Sequence, residues 1–100
     1  MSRSTGAYAR VRRQFNLPIG QFEGVGEALT RSAGEPWVMN AARSLTCTAL
    51  DQGSGPAVIS AIVKLNLTAR MRAVLNDGMD IEGGKAICTG PNNNLATAYQ

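Results

Sequence analysis

Apolar positions recur every three or four residues through most of this chain, which is the period of a helix face. Tyr8, Val11 and Phe15 follow that spacing and predict a first helix over residues 7–15, with Arg10 and Arg13 pointing away and Arg12 bordering the stripe. Pro18 restricts the residue before it to extended backbone, so Asn16 to Gly20 reads as a connection. Phe22, Val25, Leu29 and Ala33 open a second stripe, which Val38, Ala42, Leu45 and Ala49 resume after Gly34-Glu35-Pro36. An internal proline loses a helix hydrogen bond and clashes with the preceding turn, at ~3 kcal/mol. The pattern therefore predicts one long helix over residues 21–52, kinked or broken between Gly34 and Pro36.

The segment DQGSGP at 51–56 is the clearest turn, with Pro56 suited to the first position of the next helix. Val58, Ile62, Leu65, Ala69 and Ala73 then form the main stripe of a third helix over residues 56–79, widened by Ile59, Val63 and Val74. So wide an apolar arc implies burial against more than one neighbour. Gly83-Gly84 ends this element, and the asparagines after Pro91 offer caps for a short fourth helix from Leu95 to Gln100. No stretch alternates with period two for long enough to make a sheet. The expected fold is all-α, an antiparallel helical bundle joined by short turns in a single domain over residues 1–100. Its first helix is short and its last stops almost as it begins, so the bundle reads as truncated at both ends, a segment of something larger.

Composition narrows the chemistry. With two cysteines, Cys47 and Cys88, and no histidine, ligands for zinc are too few and no imidazole is present as a general base. Both cysteines are expected as buried or half-buried apolar side chains. No apolar run approaches a transmembrane span and the N-terminus lacks a signal-peptide core, so a cytoplasmic chain is the expectation. Net charge is +3, and eight of the ten cations are arginine, whose planar fork suits carboxylates and phosphates. The arginines are spread over three predicted helices with no recognisable recognition helix, which argues against nucleic acid and leaves a localised phosphate contact open.

Two clusters remain: the arginine-aromatic stretch YARVRRQFNLPIG at 8–20, and DGMDIEGGKAI at 77–87, whose glycines let backbone approach a ligand. In order and separation they resemble the C-terminal helical domain of the acyl-CoA dehydrogenases, flavoenzymes of fatty acid β-oxidation. Tyr8 to Ile19 stand against that family's YARERxQFGxPI, and Asp77 to Gly84 against its DAMQIxGG. Asn16 replaces a usual glycine, Asp80 a usual glutamine, and Lys85-Ala86-Ile87 a usual x-Gly-Tyr, departures similar to those of the large bacterial fatty-acid dehydrogenases.

The resemblance implies a set of roles. Arg12 would meet the FAD diphosphate of a neighbouring subunit in a homo-oligomer, with Gln14 and Phe15 beside it. Gly83 and Gly84 would lie on the adenosine side, and a carboxylate at Asp80 would repel phosphate but could accept from ribose hydroxyls. It also implies an acyl-CoA substrate for the whole enzyme, and a catalytic carboxylate in a Glu-Gly stretch beyond this chain. Glu23, Glu27, Glu35 and Glu82 do not match that base, so the chain alone is expected to be inactive. The alternative is a small helical interaction module without a catalytic role.

Overall fold

The computed structural model describes residues 1–55, 57–93 and 95–99. The expected start of the third helix at Pro56 and the end of the fourth at Gln100 lie outside the described residues. Among the described residues five helices run in the order α1 (Ser2–Val11), α2 (Glu23–Asp51), α3 (Ala57–Glu82), α4 (Gly84–Ile87) and α5 (Leu95–Tyr99). A two-stranded antiparallel ribbon, β1 (Arg13–Gln14) and β2 (Leu17–Pro18), and a single 3₁₀ turn at Ile19–Gln21 separate α1 from α2. Among the described residues the fold is all-α apart from this ribbon and an isolated bridge between Gly90 and Asn93.

The first helix departs most from expectation. It begins near the N-terminus and ends at Val11, because Arg12 turns to extended backbone while its N–H still reaches the Tyr8 carbonyl at 2.8 Å. Gln14 pairs with Leu17 and Arg13 with Pro18, leaving Phe15 and Asn16 as a two-residue loop in which both φ angles are positive, 51° and 63°. That is the loop class whose twist suits a tight hairpin. Pro18 keeps Leu17 extended, and asparagine tolerates the left-handed region, so the local chemistry favours a hairpin over a further helical turn. Phe15 therefore leaves the stripe of Tyr8 and Val11, and Arg12 is not a helical residue.

α2 runs as one helix through Pro36, where a kink or a break was expected, and is not broken there. Polar bonds to α3 hold the turn of α2 that leads into the proline. Arg31 and Ser32 both donate to Asp77, at 2.9 and 3.3 Å, and Glu35 pairs with Arg70. These pairings run in opposite directions along the two helices, so α2 and α3 form an antiparallel hairpin around the Gln52–Gly53 turn, where Gly53 has φ 79°.

Ser60, Val63, Leu67, Arg70 and Val74 are the shielded positions of α3 at seam spacing, and Leu29, Ser32, Glu35, Met39, Ala42, Thr46 and Ala49 those of α2. This spacing of three and four is that of a coiled-coil contact. It reverses the expected face of α3. Val58, Ile62, Leu65, Ala69 and Ala73 point to solvent, Val58 and Leu65 remaining 72% exposed. α3 is apolar nearly all round, so its period did not select a face. The phase adopted is the one that brings Arg70 and Asp77 to their partners on α2.

The core sits at the end of the hairpin away from the turn. Leu75, Ala86 and Leu95 pack together with Met79 against them, and Ala9 and Ile19 are also buried. Gly78 lets this end close, since a Cβ there would meet Leu95 Cδ2 at 3.1 Å and Thr5 Oγ1 at 3.2 Å. Asn93 caps as expected, its Oδ1 accepting from the Leu95 N–H at 3.1 Å. Cys47 and Cys88 are exposed and free, not buried or half-buried as expected: Cys47 lies on an outward position of α2, and Cys88 follows the last residue of α4 in extended backbone. No helix of the described residues is long and apolar enough to cross a membrane.

Candidate functional site

The hairpin, the 3₁₀ turn and the C-terminal end of α3 enclose an open cavity of about 350 Å³. Arg12, Gln14 and Phe15 line it from the hairpin side, Ile81 and Glu82 from α3, and Tyr8 and Phe22 complete its aromatic wall. Phe15 and Phe22 meet edge to face, with ring centroids 6.3 Å apart. Positive φ is unusual for a bulky aromatic residue, and such conformations persist where the surroundings enforce them. Here the Gln14–Leu17 pairing and the contact with Phe22 do so, while leaving the Phe15 ring 88% exposed.

The three arginines of this stretch have different surroundings. Arg13 donates to the Asn16 carbonyl at 3.1 Å and so braces the loop. Arg10 is exposed beside a separate hollow formed with Pro18 and Gly20. Arg12 is exposed at the cavity, and among the described residues its guanidinium has neither an ion-pair nor a hydrogen-bond partner. Arg31 provides the contrast. Its hydrogen bond to Asp77 and the charge of Asp77 hold its pKa above the ordinary value, against an opposing effect of burial and with a lesser contribution from Glu27.

Six residues were singled out from the sequence, and the cavity brings three of them together, Arg12, Gln14 and Phe15. Asp80 is exposed and does not line it, and neither do Gly83 and Gly84. Gly83 links α3 to α4 with φ 61° and ψ −139°, backbone that side chains with a Cβ rarely adopt. A Cβ at Gly83 or Gly84 would meet nothing, so close approach of another molecule is open there.

Sequence reasoning passed over Glu82, which it considered only as a catalytic base. Glu82 is 8% exposed, and its Oε1 accepts from the Thr5 hydroxyl at 3.4 Å. It also lines a second cavity, of about 250 Å³, together with Tyr8, Ser4 and Lys85. The Lys85 ammonium stands over the Tyr8 ring, 4.7 Å from its centroid. No local signal in the sequence marked Glu82, because its burial arises from packing α1 across α3.

An uncommitted arginine fork beside exposed aromatic and amide side chains can receive a diphosphate next to a flat ring system. The family model for the acyl-CoA dehydrogenase C-terminal domain matches residues 2–100. The chain belongs to the acyl-CoA dehydrogenase family. No solved structure matches it. Within this acyl-CoA dehydrogenase domain, the first family motif forms the end of α1 and the hairpin, and the second forms the end of α3. The two motifs meet at the cavity through Arg12, Gln14 and Phe15 on one side and Ile81 and Glu82 on the other.

Proposed function

We propose that this chain is part of an FAD-dependent acyl-CoA dehydrogenase of fatty acid β-oxidation, and that it contributes one wall of an FAD site shared between subunits. The observation that supports this reading is the cavity where residues of both motifs meet around the unpaired Arg12. Arg12 holds the diphosphate, where a charge-assisted, two-pronged contact is strong. Gln14 offers an amide donor beside it, and Phe15 presents a ring face or edge to the nucleotide. Gly83 and Gly84 allow backbone approach on the adenosine side. When bound, FAD supplies the redox chemistry of α,β-dehydrogenation, and the residues of this chain bind and orient it. The exposed stripe on α3 supports a further role in packing against a neighbouring subunit.

Titration of the ¹⁵N-labelled chain with FAD tests the site. Weak binding is expected, because the other walls belong to other segments, with shifts confined to the amides of 12–15 and 81–84. Arg12→Ala should weaken binding at least about tenfold, in line with hydrogen bonds between charged groups. Arg10→Ala should leave it nearly unchanged. Equal losses in the two variants, or shifts that avoid the cavity, would refute the assignment.

A further inference from the structure

We infer that Glu82, rather than Asp80, is the carboxylate of this site that reads ribose, accepting hydrogen bonds from the ribose hydroxyls of a nucleoside diphosphate whose phosphates lie on Arg12. The inference rests on the proposed nucleotide site and adds a specificity-determining residue to it. Asp80 is exposed and outside the cavity, whereas Glu82 lines the same cavity as Arg12. Glu82 is more than nine-tenths buried as a residue, and the hydrogen bond from Thr5 to Oε1 is long, at 3.4 Å.

Among the described residues Glu82 forms no ion pair, since Lys85, the nearest cation along the chain, is engaged over Tyr8. A carboxylate so shielded is costly unless hydrogen-bond donors approach it. Glu82 lines both adjoining cavities. Arg12 and Glu82 thus give one cavity both a guanidinium and a carboxylate in its lining. Phosphate is attracted to the first and repelled by the second, so the part of the ligand at Glu82 must be a neutral donor. The hydroxyl pair of ribose, attached next to the phosphate chain, meets both conditions. A carboxylate reading ribose hydroxyls beside a phosphate site is a recurring solution in nucleotide recognition.

The test compares ADP with 2′,3′-dideoxy-ADP, each titrated into the ¹⁵N-labelled chain. ADP should bind about tenfold more tightly, the ratio that corresponds to one hydrogen bond to a charged acceptor. Glu82→Leu should bring the ratio close to one. Glu82→Gln, which keeps the shape and a neutral acceptor, should leave an intermediate ratio, so the test stands even where the leucine variant does not fold. Arg12→Ala should weaken both ligands alike and preserve the ratio. A ratio near one in the parent chain, or a ratio unaltered in the folded Glu82 variants, overturns the role of Glu82 while leaving the phosphate site standing. Failure of both nucleotides to bind, or indifference of both to Arg12→Ala, overturns the site itself and this inference with it.

Discussion

Arg31 on α2 donates to Asp77 on α3 across 2.9 Å, joining positions 46 residues apart in the chain. Ser32 donates to the other oxygen of the same carboxylate, so Asp77 gathers two successive residues of α2 at the seam. One turn further along α2, Glu35 meets Arg70. Together these contacts set the register of the helical hairpin and hold the stretch of α2 that contains Pro36.

Asp77→Ala should therefore lower the urea midpoint more than Arg31→Ala does, because the carboxylate serves both Arg31 and Ser32. The guanidinium is more than half exposed, and solvent screens its share of the attraction. Raising the salt concentration should shrink the Arg31 effect further. Equal midpoints for the two variants would count against Asp77 as the organising group.

Pro36→Ala should stabilise the chain by about 1–3 kcal/mol, since alanine restores the N–H that α2 lacks and is the better helix former. Urea denaturation of the variant beside the parent measures this. A loss of stability would mean that packing of the proline ring outweighs the restored hydrogen bond.

Phe15 occupies the left-handed region with its ring largely in water, an arrangement that favours ligand contact over stability. Phe15→Gly should relieve backbone strain and raise stability by about 1 kcal/mol, while weakening FAD binding. Opposite signs in the two measurements are the expected signature. A variant that binds FAD as well as the parent would remove Phe15 from the site.

The stripe Val58, Ile62, Leu65, Ala69 and Ala73 leaves an apolar face without a neighbour in the described structure. Each 100 Å² of such surface withdrawn from water gains ~2.5 kcal/mol. The chain should self-associate, and sedimentation should show a mass that rises with concentration. Ile62→Glu together with Leu65→Glu should shift it toward monomer without loss of helix, since both side chains are exposed. A constant monomer mass for the parent chain would disprove the association.

The purified 100-residue chain should not oxidise an acyl-CoA in the presence of an artificial electron acceptor. None of its glutamates matches the family's catalytic base, and Glu82, the buried one, faces a threonine and the proposed ribose position. Turnover by the chain alone would contradict the division of labour proposed for it.

The residues determined directly what depends on near neighbours. Proline and glycine act through their own backbone, so the Gln52–Gly53 turn, the glycine stop after Glu82 and the cap at Asn93 were legible in order. So were the long helices and the motifs that carry the family. Tertiary structure decided what depends on residues distant in the chain. A three-to-four spacing exists on several sides of α3, and only the partners of Arg70 and Asp77 selected the buried one. The stripe of Tyr8, Val11 and Phe15 suggested a longer helix, yet cross-strand pairing and the contact with Phe22 drew Phe15 into a hairpin loop. Glu82 gained its place at the cavity because α1 packs Thr5 against it, a contact spanning 77 residues that no local pattern encodes.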